Sequence, residues 1–79
     1  MIESYQYTVV DEWPLSTGDR VQVSRTKWFE GPRAGEQHFS WRVRARNGQT
    51  IAGGGETYTR KSSAIRAALR SFPRVEADQ

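Results

Sequence analysis

Apolar and polar residues alternate along several segments of the chain, and a period of two residues predicts β-strands. The first such segment is Tyr5–Val9, which the Trp13-Pro14 pair and the polar Ser16–Asp19 segment are expected to end. The second is Arg20–Ser24. It extends toward Trp28, where two adjacent aromatic residues break the period and predict either a bulge or a strand end.

The clearest strand follows a Gly-Pro loop at 31–35. One of its faces is apolar and carries Phe39, Trp41, Val43 and Ala45. The other face is polar and carries Ser40, Arg42, Arg44 and Arg46. Because successive side chains of a strand point to opposite faces, one side of this strand is expected to join the core and the other to be basic.

An Asn-Gly pair at 47–48 predicts a hairpin after this strand. A two-residue loop would place Ile51 opposite Arg44, on the charged face. A three-residue loop with a left-handed Gly48 would instead place Ile51 opposite Val43 and Thr50 opposite Arg44. We favour the three-residue loop, because it keeps the apolar residues on one face.

A helix is predicted near the C-terminus. The glycines at 53–55 end the returning strand, and Thr59 is the expected N-cap of a helix that begins near Arg60. An apolar stripe at helical spacing comprises Ile65, Ala68, Leu69 and Phe72. Pro73 is expected to end the helix, and residues 75–79 are expected to form a frayed tail.

Strands that precede a single helix predict an α+β fold. We expect an antiparallel meander of three to four strands with the C-terminal helix packed on one face. Residues 1–12 are expected to add an N-terminal strand. The chain of 79 residues has the size of one small domain.

The hairpin and the helix resemble the YegP-like family of small ββα domains of unknown function. The residues that carry the resemblance are Phe39–Ala52, Glu56, Tyr58, Lys61, Ala64 and Ile65. It extends over residues 38–73 and implies a three-stranded antiparallel sheet covered by one helix, used as a tandem repeat or as a dimer of single units. A single unit suggests the dimer. The family supplies no established activity, and the three glycines, the loop before Phe39 and the first twelve residues depart from its pattern.

The composition restricts the classes of site that the chain can form. It contains no cysteine, which excludes disulfides, thiolate catalysis and cysteine-based zinc sites. No apolar run reaches the length of a membrane span, and the N-terminus lacks the pattern of a signal peptide. We therefore expect a cytoplasmic protein that binds no membrane.

Catalytic chemistry finds little support. His38 is the only histidine, and Asp11 and Glu12 are adjacent, so that in a strand they point to opposite faces. The glycines at 53–55 lack the Gly-Lys-Ser/Thr ending of a phosphate loop, and they favour a flexible turn or a close backbone approach. We expect no enzymatic activity, no cofactor and no metal.

Nucleic-acid binding is one functional hypothesis. Residues 1–40 carry four basic and six acidic side chains, whereas residues 41–79 carry eight basic and three acidic side chains. The cations that would contact phosphates are Arg42, Arg44, Arg46, Arg60, Lys61, Arg66 and Arg70. However, the helix is expected on the face opposite the strand arginines. No aromatic residue lies between the arginines on their own face, so a stacking platform for bases requires Trp28 or Trp13 beside them. A solvated arginine face therefore remains the alternative.

Protein interaction is the hypothesis that we favour. Three tryptophans in so small a chain exceed what one thin core hides, and an acidic half joined to a basic half suits self-association or an acidic partner. Trp28, Phe29 and Arg44 are the predicted contact residues. The expected function is thus a non-catalytic, homodimeric module that binds protein, with non-specific nucleic-acid binding as the alternative.

Overall fold

The structure, a computed structural model, describes residues 4–74. One antiparallel four-stranded sheet precedes one helix, which confirms the predicted α+β meander. The elements are β1 (Ser4–Pro14), β2 (Arg20–Glu30), β3 (Gln37–Arg44), β4 (Thr50–Gly53) and α1 (Lys61–Ser71). Each strand pairs with the next along the chain, so β1 and β4 form the two edges. The tail predicted at 75–79 lies outside the described residues.

The first strand is longer than predicted, because Trp13 and Pro14 belong to it instead of ending it. Trp13 lies opposite Val21, and only 2% of its surface is exposed. Its indole N–H donates a hydrogen bond of 2.9 Å to the carbonyl of Phe72, just after α1. Burial of this large ring between sheet and helix extends β1 to Pro14.

The second strand contains the irregularity predicted at its aromatic pair. Tyr5 pairs with Trp28 and Ser4 pairs with Glu30, so Phe29 is an extra residue without a partner in β1. This is a bulge and not a strand end, because β2 continues to Glu30.

A further bulge, at Val10 of β1, was not predicted. The register shifts between Val9 and Asp11, which leaves Val10 as the extra residue. A bulge of one residue reverses the alternation of faces. Tyr7 and Val9 therefore point away from the helix, whereas Trp13, at an equally odd position, points toward it.

The core lies between α1 and the strands β2 and β3. Its buried apolar residues are Trp13, Val21, Val23, Phe39, Val43, Ala64 and Ala68. The predicted stripe on the helix is thus displaced by part of a turn. Ala64 and Ala68 lie at its centre, and Ile65 and Leu69 flank them half-buried.

The predicted start of the helix was wrong by one residue. Arg60, in an extended conformation, is the N-cap of α1, and it makes no side-chain capping bond. Thr59 lies one position too early to cap the first turn. At the other end α1 stops at Ser71, with Phe72 as the C-cap residue before Pro73.

The β3–β4 hairpin has the predicted three-residue loop. Ala45 donates a hydrogen bond of 2.8 Å to the carbonyl of Gln49, and Gly48 has a φ of 90°. Thr50 lies opposite Arg44, as predicted.

The predicted partner of Ile51 was wrong. Ala52 lies opposite Val43, because an irregularity between Val43 and Arg44 leaves Ile51 unpaired. The Ile51 side chain is consequently 54% exposed. The strand β3 ends at Arg44, so Ala45 and Arg46 belong to the turn and do not extend the alternating faces.

The glycines after β4 allow a close approach of backbone to side chain. A Cβ atom at Gly54 would lie 2.5 Å from Nε1 of Trp41, and Gly55 has a φ of 72°. The Trp41 ring packs against Phe72, with 5.7 Å between ring centroids. Gly54 therefore provides the space that this tryptophan needs.

The molecule is elongated, with extents of 50 × 26 × 20 Å. An 11-residue strand is about 36 Å long and an 11-residue helix only about 16 Å, so α1 covers only part of the β1–β2 hairpin. We call residues 10–14 and 20–24 its proximal half, and residues 4–9 and 25–30 its distal half. The core draws on the proximal half alone. Within residues 4–74, no helix has the length and hydropathy to cross a membrane.

Candidate interaction surface

The sheet has one face toward α1 and an open face on the other side. Strand register assigns each side chain, because paired residues share a face. Val21 and Val23 pair with Val43 and Trp41, which places them on the helix face. The residues between them in the sequence therefore lie on the open face.

The distal half reverses the polarity of the proximal half. Its helix-face positions are polar and comprise Gln6, Thr8, Arg25 and Lys27. Four of its open-face positions carry aromatic or aliphatic side chains, namely Tyr5, Tyr7, Val9 and Trp28, whereas Thr26, opposite Tyr7, is polar. We call these four residues the distal patch. The distal patch faces the side of the sheet that α1 does not cover.

Most of the distal patch is accessible to solvent. Tyr5 is 61% exposed, Tyr7 43% and Val9 40%. Trp28 is half-buried because its ring lies between Tyr5, at 6.0 Å, and the edge of His38, at 5.2 Å. These distances are typical of paired aromatic rings, so the patch is a packed cluster and not a set of isolated side chains.

Two guanidinium groups lie on the aromatic rings of the patch. Arg33, from the β2–β3 loop, lies 4.4 Å from the centre of the Trp28 ring. Arg42, from β3, lies 5.0 Å from the centre of the Tyr7 ring. Arg42 thus reaches from β3 across β2 to β1, and Ser24 of β2 is only 1% exposed although it lies on this open face. Both contacts are of the cation–π type.

The proximal open face is polar and carries three arginines, Arg20, Arg42 and Arg44. Glu12 accepts a hydrogen bond of 2.8 Å from Gln22, whose carbonyl oxygen accepts one of 3.3 Å from Nε of Arg42. Glu12 also lies 3.5 Å from Nε of Arg20. These contacts form a polar chain across β1, β2 and β3.

Arg44 is the exception in this chain of contacts. It lies directly opposite Arg20, and its own Nε has no hydrogen-bond partner among residues 4–74. Like charges opposite each other in a sheet are unfavourable. The structure therefore leaves a positive charge at this position that an anionic group would offset.

The cations predicted to bind nucleic acid fall into separate groups. Arg42 and Arg44 lie on the open face, and Arg46 lies in the hairpin turn, where its guanidinium touches Gly18. The remaining four belong to the helix and its N-cap, on the other side of the sheet: Arg60, Lys61, Arg66 and Arg70. They do not form one continuous basic surface. The open face of β3 has no aromatic residue between its arginines, as expected, but the ring of Tyr7 from β1 lies against Arg42.

The predicted protein contact residues are also separated. Trp28 belongs to the distal patch, whereas the bulged Phe29 lies near Lys27, whose ammonium is 5.8 Å from the ring centre. Lys27 is on the helix face, so the two adjacent aromatic side chains serve different sides of the sheet. Arg44 lies at the proximal end and not beside Trp28.

Sequence reasoning missed Tyr5, Tyr7 and Val9 as candidate contact residues. Their alternation with polar residues predicts a strand whose apolar side joins the core. The sequence alone does not show that the helix covers the side of Gln6 and Thr8 and leaves the apolar side open. A signal was present in the uncharged run from Ser4 to Val10, since edge strands of soluble proteins usually carry charges.

Among residues 4–74, the side chains weighed as catalytic candidates have separate surroundings. His38 contacts Trp28, and its Nε2 lies 3.6 Å from Glu36. Asp11 is engaged with Arg74 at 2.7 Å and is separated by strand alternation from Glu12. Within residues 4–74, no cluster of three or more His, Asp and Glu side chains is arranged to hold a metal ion.

One titratable group on the helix side has a shifted pKa. Burial raises the pKa of the Tyr58 hydroxyl above its ordinary value of 10.0, and the hydrogen bond to Glu56 raises it further. The hydroxyl donates this bond over 3.2 Å. Arg66 and Arg70 line the same depression and favour negative charge there. This site holds half of the predicted helix cations, Arg66 and Arg70, together with the hydroxyl groups of Tyr58 and Ser63.

Comparison with known families identifies part of the chain. Residues 35–68 match the model of a domain of unknown function, DUF1508. This match confirms the predicted resemblance to YegP-like small domains for β3, β4 and most of α1. No curated protein and no solved structure matches the chain. β1 and β2 lie outside the matched segment, so the distal patch is a feature that the family match does not cover.

Proposed function

We propose that this chain is a non-catalytic interaction module that binds protein, and forms homodimers, through the distal patch. The observation that carries the proposal is the reversed polarity of the β1–β2 hairpin. Its distal half turns aromatic side chains to the open face and polar side chains to the helix side. Burial of the patch therefore requires a second molecule, because α1 packs on the opposite face of the sheet.

The chemistry of the patch fits a protein partner. Contiguous exposed apolar surface is unusual on a monomer, and Tyr, Trp and Arg dominate the energetically important positions of protein interfaces. The distal patch combines two tyrosines and a tryptophan with the stacked guanidiniums of Arg33 and Arg42. Tyrosine and tryptophan also lose little conformational entropy on binding, because the rings are already packed.

The test measures molecular mass against protein concentration, by light scattering and sedimentation equilibrium. We expect the wild-type chain to form a dimer and Tyr7→Ser to raise its dissociation constant at least about tenfold, which corresponds to about 1.4 kcal/mol. Ile51→Ser is the matched control, because Ile51 is similarly exposed but lies on β4. This control should leave the dissociation constant unchanged.

Salt provides a second criterion. An interface formed by aromatic rings should depend little on ionic strength, because apolar burial is not screened. A chain that remains monomeric at millimolar concentration, or an equal effect of Tyr7→Ser and Ile51→Ser, would contradict the proposal.

Nucleic-acid binding is a second candidate, and the position of Arg44 favours it. Arg44 faces Arg20 and forms no ion pair among the described residues, and the aromatic patch shares the same open face. Arginines beside exposed aromatic rings are the combination with which proteins bind single strands. The phosphates would offset the charge, and the bases would stack on Tyr5.

The two candidates respond differently to salt. Affinity for a fluorescent single-stranded oligonucleotide should fall steeply between about 50 and 200 mM salt if phosphates are bound. Arg44→Glu should then abolish binding, whereas Arg66→Glu on the helix should weaken it only slightly. No change in anisotropy with the wild-type protein at low salt would rule this candidate out.

A further inference from the structure

The outer edge of β1 presents unused backbone hydrogen-bonding groups, and their positions follow from β2. The N–H of Trp28 donates to the carbonyl of Glu36 over 3.0 Å, and the carbonyl of Trp28 accepts from Gly35 over 2.9 Å. Both groups of Trp28 thus point away from β1. Since Tyr5 lies opposite Trp28, the pair is not hydrogen-bonded, and the N–H and C=O of Tyr5 point to the free edge.

Bonds at β3 give the same assignment independently. Phe39 exchanges two hydrogen bonds of 2.7 Å with Tyr58, so its backbone groups point away from β2. Arg25, opposite Phe39, therefore directs its groups to Thr8 of β1. Because the pattern alternates along a strand, the backbone groups of Tyr5, Tyr7 and Val9 all point to the free edge. Among residues 4–74, no strand pairs with them.

The edges of this sheet differ in how well they are protected. The edge strand β4 has only four residues, an irregular register and glycines at its end. The proximal half of β1 carries the Val10 bulge, two carboxylates and Pro14. Such features prevent edge-to-edge pairing. The segment from Ser4 to Val9 contains no charge and no proline, and the register shift between Ser4 and Tyr5 arises from the extra residue Phe29 of β2.

We propose that two copies of the chain join through antiparallel pairing of their Ser4–Val9 segments, with the two-fold axis at Tyr7. This inference rests on the proposed self-association and specifies its geometry. Tyr7 would pair with its own copy and Tyr5 with Val9 of the partner subunit, each pair exchanging the backbone bonds that point to the edge. The result is one continuous sheet of both subunits, with the two distal patches adjacent on its open face.

The occupant we infer is a second copy because the segment complements itself. About a two-fold axis at Tyr7, Gln6 faces Thr8 of the partner subunit, and neither carries a charge. The same axis places aromatic and β-branched side chains opposite each other on the open face, a pairing that stabilises sheets. No like charges meet within the paired segment.

The experiment introduces charges that act in opposite senses within and between subunits. In Gln6→Glu/Thr8→Glu, the new carboxylates lie opposite Lys27 and Arg25 of the same subunit, which favours the folded monomer. Across the two-fold axis, however, Glu at position 6 meets Glu at position 8. We expect the dissociation constant of the dimer to rise at least about tenfold by sedimentation equilibrium.

The matched variant is Gln6→Glu/Thr8→Lys, in which opposite charges meet across the axis. It should dimerise within about threefold of the wild type, although Lys at position 8 lies near Arg25 of its own subunit. Circular dichroism of both variants at low concentration verifies that they fold. Restoration of the dimer in the second variant supports the pairing, because a purely intramolecular effect of the charges predicts the opposite order.

The outcomes separate this inference from the function on which it rests. If the wild type dimerises and Tyr7→Ser weakens it, but the two double variants behave alike, the edge pairing is overturned and the distal patch remains the interface. If the wild type is monomeric at all concentrations, both proposals fail, and a strand from another protein becomes the candidate occupant of the edge.

Discussion

Trp13 and Trp28 lie in corresponding local surroundings but in opposite halves of the β1–β2 hairpin. Each ring has an arginine stacked on it, Arg74 at 4.5 Å on Trp13 and Arg33 at 4.4 Å on Trp28. Trp13 is nevertheless 2% exposed, whereas Trp28 is only half-buried. The same pair of residue types therefore completes a core at one end and forms a surface patch at the other.

The difference arises from what lies opposite each ring. Trp13 points to the helix face, where its indole N–H bonds to the carbonyl of Phe72. Trp28 points to the open face, where its neighbours are Tyr5 and His38. A helix of 11 residues covers only one half of this hairpin. The other half has its apolar side chains on the open face, where a second molecule can reach them.

The largest expected effect comes from exchanging these two tryptophans for alanine. Trp13→Ala should cost about 3–5 kcal/mol of unfolding free energy, much of the stability of a domain of this size. Trp28→Ala should cost less than about 1 kcal/mol in the monomer, since its ring is half-exposed. Trp28→Ala should instead weaken self-association, because the Trp28 ring supports the ring of Tyr5. Urea unfolding monitored by circular dichroism at low concentration measures the first two quantities.

Equal losses for the two variants would break the comparison. They would mean that the distal half belongs to the same cooperative core as the proximal half. Trp13→Phe separates the two contributions of Trp13, because it retains most of the apolar contact and removes the donor to Phe72. This variant should lose about 1 kcal/mol or more, as expected for a buried carbonyl without its partner.

A valine pair sharpens the comparison at smaller scale. Val23, on the helix face, is 0% exposed, and Val9, in the neighbouring residue pair on the open face, is 40% exposed. Val23→Ala should cost about 2 kcal/mol, because it removes buried methyl groups and leaves a cavity. Val9→Ala should cost less than about 0.5 kcal/mol in the monomer. A larger effect of Val9→Ala at high protein concentration than at low would place Val9 in a contact between subunits.

Much of the fold could be predicted from the sequence, because it depends on local patterns. The alternation in β3, the Asn-Gly turn and the helical spacing of Ala68 and Leu69 are signals within a few residues. Each of these signals corresponds to a strand, a turn or a helix of the structure. The four-stranded order follows, since short turns connect antiparallel neighbours.

The faces of β1 could not be predicted, because they depend on a long-range choice. Tyr5, Tyr7 and Trp13 all occupy odd positions, and the sequence alone places them on one face. The bulge at Val10 allows Trp13 to enter the core while the tyrosines remain on the open side. This arrangement depends on the length of the helix and on its packing against Val21 and Val23. The sequence of β1 itself contains no information on either. Ile51 lost its predicted partner for a similar reason, through the register shift between Val43 and Arg44.

The smallest expected effect concerns the helix side of the sheet and comes from pH. Tyr58 joins the segment before α1 to β3 through Phe39, and its pKa is raised above 10.0 by burial and then by the hydrogen bond to Glu56. A raised pKa means that the folded chain holds the proton more tightly than the unfolded chain. The associated stability is complete below the unfolded pKa and is lost as pH rises through the folded pKa.

The unfolding free energy of the wild type should therefore decline as pH rises above about 10, the ordinary pKa of tyrosine. Tyr58→Phe retains the ring without the titrating hydroxyl and should decline less over the same interval, as measured by urea unfolding at several pH values. Glu56→Gln should lie between the two, because it removes the second cause of the shift and leaves the burial. Parallel pH profiles for all three chains would show that the Tyr58 hydroxyl does not contribute to anchoring the helix on the sheet.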